Sequence, residues 1–170
     1  MQLRTFGAAV VAGGAIAGLL DILYAITFWH FNGRSTLWVL QSVAMGWFGR
    51  ASSQMGWTSG AVGLASHFAI LLVAAALYGA AWRRVHWMRT HWVACGALFG
   101  VLVYLFMNYV VIPLSAAPFR TPLAISTLAQ GFVSHAVLVG LPIAACLQIM
   151  GTGRKIHLSP FRGQPKRPVM

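Results

Sequence analysis

The chain has 170 residues, 59% of them hydrophobic and 8% charged, with 12 Lys or Arg set against a single acid, Asp21. A soluble domain carries about 25% charged residues, so a water-soluble fold, a disordered chain and a disulfide-rich secreted scaffold are all excluded. The net charge of +11 does not point to nucleic acid either. A nucleic-acid binder gathers Lys and Arg on one solvated face, whereas here they stand at the ends of apolar runs.

Those ends delimit five stretches free of Lys and Arg: 5–33, 35–49, 51–82, 90–119 and 121–153. A membrane-spanning helix needs roughly 20 apolar residues, so four stretches can span and the short 35–49 stretch cannot. The predicted fold is all-α, with four transmembrane helices in one domain over 1–150. The first span, 6–30, follows Arg4 and contains Ala15-Ile16-Ala17, a small-residue cleavage pattern. Its apolar run continues to Trp29, longer than a signal-peptide core, so a retained span is expected.

Segment 35–49 follows, with Leu37, Leu40, Ala44, Trp47 and Phe48 along one helical side and Gln41, Ser42 and Arg50 elsewhere. It reads as a short helix lying in the interface, as a shallow re-entrant element, or as a helix packed on the bundle. The remaining spans are 61–82, 92–113 and 127–149. Cys95 and Cys146 lack any ligand spacing and read as inert thiols. Pro142 with Gly140 predicts a kink in the last span. Residues 151–170, rich in Gly, Pro, Lys and Arg, read as a disordered tail that meets anionic lipid headgroups.

Four spans place the N-terminus, the 83–91 connection and the tail on one side. That side carries Arg4, Arg83, Arg84, Arg89, Arg154, Lys155, Arg162, Lys166 and Arg167; the other carries Arg34, Arg50 and Arg120. Positive charge accumulates on the cytoplasmic side, so both termini are expected inside.

The two halves resemble each other. Gly14-Ala15-Ile16-Ala17-Gly18 matches Gly96-Ala97-Leu98-Phe99-Gly100, and Gly63-Leu64-Ala65-Ser66-His67 matches Gly131-Phe132-Val133-Ser134-His135. The pattern suggests a two-fold internal repeat in which the second half lacks the interfacial segment. At 100° per residue, Gly14, Gly18, Asp21 and Ala25 share one face of span one. Gly63, His67, Ala74 and Ala81 share one of span two, and Gly131, His135, Pro142 and Cys146 one of span four. Small residues let helix backbones approach closely in lipid, so Gly14, Gly18, Gly63, Gly96, Gly100 and Gly131 are read as packing positions.

On this reckoning Asp21, His67 and His135 lie roughly 13, 9 and 12 Å inside the outer ends of their spans at 1.5 Å per residue. Asn108, Ser66, Ser134 and Gln130 are close in depth. An aspartate at such depth costs about 2.5–3.5 kcal/mol on insertion scales and needs a partner, a proton or a water-filled cavity; His67 is the favoured partner. Three readings follow: interhelical hydrogen bonding, Asp21 with His67 and His135 with Asn108 or a serine; a proton relay or small-solute path; and a cofactor site, in which His67 and His135 ligate one haem or join Asp21 around a metal. There is no phosphate-binding glycine loop, no H-E-x-x-H and no carboxylate pair. The expectation is therefore a non-enzymatic structural or accessory bundle with no cofactor and no metal. Its partners would be the lipid bilayer, with a homo-oligomer or a larger membrane complex left open.

Four stretches resemble a family of bacterial four-span inner-membrane proteins, broadly YagU-like. They are Asp21-Ile22-Leu23, the run from Val39 to Gly46, the run from Met107 to Ala116 and the run from Val139 to Ala144. The resemblance covers approximately 10–147 and implies a compact helical bundle in the bacterial cytoplasmic membrane, without an activity. The topology has a direct test: a reporter fused to the C-terminus is expected to be active on the cytoplasmic side, and activity confined to the periplasm would refute it.

Overall fold

A computed structural model describes residues 3–119 and 125–151; the basic tail, Arg120 and Pro122 lie outside them. Helix α1 runs Leu3–Phe31, α2 Thr36–Phe48, α3 Gly56–Arg84, the short α4 Trp87–Thr90, α5 Trp92–Leu114 and α6 Ile125–Gly151. Helices α1, α3, α5 and α6 are long and apolar enough to cross a membrane, and no strand occurs among the described residues. The chain is a multi-pass, all-α membrane bundle. Its large exposed side chains, such as Val11 and Leu19 on α1 and Leu98, Leu102 and Phe106 on α5, are what a lipid-facing surface presents.

Helix α1 sits centrally, packed on both α3 and α6, and α5 packs on α6. The contacts are close because glycines remove side chains from them. A Cβ on Gly63 would overlap the Leu40 carbonyl, one on Gly100 the His135 carbonyl, and one on Gly140 the Gly96 carbonyl. On Gly14 it would press Leu72, on Gly18 the Phe68 ring, on Gly96 the Ala144 methyl and on Gly131 the Tyr104 ring. Gly140 is a packing position that the repeated motifs did not reveal. The matched motifs also meet unlike partners: Gly63 receives α2, whereas Gly131 receives a side chain of α5.

Two expectations are corrected. The buried face of α3 passes from Ala74 to Tyr78 and Trp82, leaving Ala81 exposed. On α6 the core positions beyond His135 are Val139, Gly140, Ile143, Ala144 and Leu147, while Pro142 and Cys146 are only half-buried. The cause lies in a π-helical turn at Ala136–Gly140, closed by the Leu141 N–H on the Ala136 carbonyl. A π turn carries one extra residue, which moves the face by one position. Helix α5 has the same device at Met107–Val111, with the Ile112 N–H bonded to the Met107 carbonyl. In both cases a proline, Pro113 or Pro142, follows two residues after the turn. Proline has no N–H and clashes with the preceding turn, so a widened turn ahead of it relieves both problems.

Segment 35–49 is packed on the bundle, the third of the expected placements. Ser35 caps α2 by accepting the Trp38 N–H at 3.1 Å. The residues α2 buries are Val39, Leu40, Gln41, Ala44 and Met45, whereas Trp47 is 70% exposed. Burying Gln41 requires partners, and it has them. Its Nε2 donates to the Gly56 carbonyl (3.1 Å) and to Ser59 Oγ (3.4 Å), while its own carbonyl accepts from Ser52 Oγ (2.8 Å). Ser59 Oγ in turn donates to the Ser52 carbonyl at 2.7 Å. Gly49 and Gly56, both at φ +56°, bound the 3-10 turn Gly49–Gln54 and supply the left-handed backbone that closes this knot.

Helices α3 and α5 scarcely touch along their backbones. Near the 83–91 end they meet through the Tyr78 and Phe99 rings, 5.0 Å apart. Toward the opposite end residues of α3, α5 and α2 line one groove, and α2 is tied to the end of α5 by the Ala116 N–H on the Gly46 carbonyl (3.1 Å).

Backbone carbonyls cannot rotate away from a new methyl, and overpacking costs about 1–3 kcal/mol, more than the ~1 kcal/mol that alanine gains over glycine in a helix. Gly63→Ala and Gly100→Ala are therefore expected to lower unfolding stability in detergent. Gly7→Ala, with nothing within 4 Å of the new atom, is expected to leave it unchanged or raise it.

Candidate functional site

Because α3 begins at Gly56 and α6 at Ile125, His67 and His135 lie deeper than the shorter predicted spans implied. Asp21, His67 and His135 each stand about ten residues, roughly 15 Å, from the α2 end of their helices. The three side chains line one cavity of about 140 Å³, whose remaining wall is apolar: Val43, Ile70, Leu71, Val103, Met107 and Val139. It is large enough for several waters, each occupying about 30 Å³.

Helix α3 brings His67 against the small-residue face of α1. Its Nε2 lies 3.0 Å from the Gly18 carbonyl and 4.0 Å from Asp21 Oδ2. A carbonyl only accepts, so Nε2 carries the proton and, in the neutral ring, Nδ1 is an acceptor. The expected Asp21–His67 proximity is present, but the hydrogen bond goes to the Gly18 backbone. Asp21 has no hydrogen bond among the described residues, and its one polar contact is the 4.0 Å approach of His67.

His135 ends the regular turn that precedes the π segment, and its ring meets Tyr104 edge-on at 5.0 Å. Its Nδ1 donates to the Gly131 carbonyl at 3.1 Å, which leaves Nε2 as the acceptor in the neutral ring. Ser134 Oγ stands 3.3 Å from the same Nδ1 but donates to the Gly131 carbonyl at 3.2 Å. With Nδ1 protonated, His135 cannot withdraw the Ser134 proton through that nitrogen, so the two are not a nucleophile–base pair.

Three expected members do not line this cavity: Ser134, turned to the Gly131 carbonyl of its own helix, and Ser66 and Asn108. Ser66 Oγ accepts from Trp47 Nε1 at 3.0 Å. Asn108 Nδ2 donates to the Tyr104 carbonyl of its own helix at 2.9 Å, not to His135. Both residues line a neighbouring, larger groove. Gln130 is used elsewhere, donating to Tyr24 OH at 2.8 Å and tying α6 to α1. Among the described residues no group of three or more His, Cys, Asp or Glu side chains is arranged to hold a metal ion.

No protein-family model, no curated protein and no solved structure matches the chain.

Asp21 is the only acidic residue of the sequence, which gives the cavity a selective chemical probe. Dicyclohexylcarbodiimide, which partitions into lipid and reacts with protonated carboxyls, is expected to modify Asp21, read as a mass shift on the α1 peptide. A folded protein that takes up none of it would place the carboxyl out of reach or permanently ionised.

Proposed function

We propose that this is a non-enzymatic, multi-pass protein of the bacterial cytoplasmic membrane, YagU-like, with both termini inside. Its Asp21 cavity holds an exchangeable proton on a proton-linked path for a small solute. The charge bias of the connections and the quoted sequence stretches support the location and family. The protonation of His135 Nδ1 beside Ser134 supports the absence of acyl-transfer chemistry.

One observation carries the functional reading: Asp21 lines a cavity with two histidines yet has no hydrogen bond among the described residues. Interhelical hydrogen bonds in membranes return only about 0.6 kcal/mol each, against about 2.5–3.5 kcal/mol for an aspartate at this depth. An aspartate kept for packing would at least make that bond. Asp21 makes none, so its cost is offset by what the cavity holds: a proton, water or a cation. His67 and His135 line the same cavity, each with one nitrogen committed to a carbonyl and one able to take up a proton.

The test is proton uptake into proteoliposomes driven by a potassium-diffusion potential. Wild-type protein is expected to admit protons above the rate of empty vesicles, and Asp21→Asn and His67→Ala to reduce that rate by about tenfold or more while keeping the wild-type unfolding transition. Wild-type vesicles no leakier than empty ones, or unchanged uptake in both variants, would remove the reading.

A further inference from the structure

Next to the polar cavity lies a much larger space of about 980 Å³, at the upper end of the range for small-molecule sites, beneath α2 in the gap between α3 and α5. Its walls are mainly apolar and aromatic, with Trp29, Trp38 and Trp47 at the α2 side and Ile70, Phe106 and Val110 on the spans. It is continuous in position with the polar cavity: Val43, Ile70 and Met107 line both. Of these only Met107 is long and unbranched, the kind of side chain that repacks at low cost, and it stands at the start of the π turn of α5.

The polar end of this combined space has a definite hydrogen-bonding character. Asp21 is an acceptor when ionised. The nitrogens left over on His67 and His135 are acceptors because their partners, the Gly18 and Gly131 carbonyls, fix the proton on the other nitrogen. Asp21, the only acidic side chain in the sequence, shares an otherwise apolar cavity with these two rings and, when ionised, matches a primary ammonium, which has three donors and no acceptor. An anionic head would meet Asp21 with like charge and find no free donor in the neutral rings. A phospholipid head, which brings a phosphate with it, is disfavoured for the same reason.

We propose that the groove and cavity together bind a single-tailed lipophilic amine from the bilayer, its alkyl chain under α2 between α3 and α5 and its ammonium at Asp21. This rests on the same cavity as the proton-site reading and names the solute class: a protonated amine and a proton compete for one carboxylate. Passage of the head past Met107 joins the two compartments.

The tryptophans of the groove supply the readout. Bromoalkyl probes of one chain length, carrying an amine, an alcohol or a carboxylate head, are titrated into the full-length protein in neutral nanodiscs, and tryptophan quenching is followed. The amine is expected to quench saturably and about tenfold or more tighter than the carboxylate, since loss of one partner of a buried charge pair weakens binding at least that far. Asp21→Asn is expected to bring the amine to the alcohol's affinity while tail-dependent quenching persists. Gly46→Leu places a side chain into the groove with only Ser115, at 3.9 Å, near its Cβ, so it is expected to fold and to lose quenching by amine and alcohol alike. Equal affinity for amine and carboxylate, an amine preference that survives Asp21→Asn, or undiminished quenching in Gly46→Leu would each overturn the proposal. Amine binding that fails while proton uptake persists removes this inference and leaves the proton site. Asp21-dependent amine binding without proton uptake supports the inference and removes only the proton path.

Discussion

Lipid is as apolar as the side chains it surrounds, so burying leucine does not drive one span against another, and close backbone approach must do so instead. In this bundle the approach occurs at glycines: Gly63 against the Leu40 carbonyl, Gly100 against that of His135, Gly140 against that of Gly96. The placement of the polar groups depends on these contacts. His67 reaches the Gly18 carbonyl because the Gly14 and Gly18 face of α1 lets α3 come near. The Gly100 and Gly96 face of α5 likewise holds the two ends of the π turn that follows His135.

Close packing is not distributed evenly, and the uneven part bears on function. Helix α1 meets α3 and α6 tightly, as α5 meets α6, but the α3–α5 side stays open toward α2. There α2 acts as a cover, fixed to α3 by the Gln41–Ser52–Ser59 knot and to α5 by the Ala116–Gly46 backbone bond. The large apolar groove and the small acceptor-lined cavity lie on this open side, separated by residues that belong to both. On this side Asp21 faces a space, with His67 Nε2 4.0 Å away.

Paired proline–π devices in α5 and α6 add to this. Each sits at the level of the cavity, one beginning at Met107 and the other just after His135. By inserting one residue, the α6 turn moves the lower core from the register of Pro142 and Cys146 to that of Ile143 and Leu147. It lets one helix present His135 to the cavity and an apolar face to α1 without a break in the chain.

The sequence by itself determined the number of spans and the all-α class, and it put Asp21, His67 and His135 near a common level, though the earlier helix starts set the two histidines deeper than the spans read from hydropathy implied. Hydropathy and the spacing of basic residues are local properties that the bilayer reads one segment at a time. Glycine spacing also marked six of the close-contact positions, because the helix period turns four-residue repeats into a face. Tertiary structure decided the rest. Gln41, set apart from the apolar side of its helix by hydrophobicity alone, is buried because Gly56, Ser52 and Ser59 fold around to meet it. Ser66 and Asn108 share the depth of the cluster but not its cavity, since depth fixes a level and not a direction. The face of α6 shifted at a π turn that no fixed period contains. Whether Asp21 is bonded or exposed to a cavity depended on how near α3 and α5 come, a relation between distant segments that neither segment encodes alone.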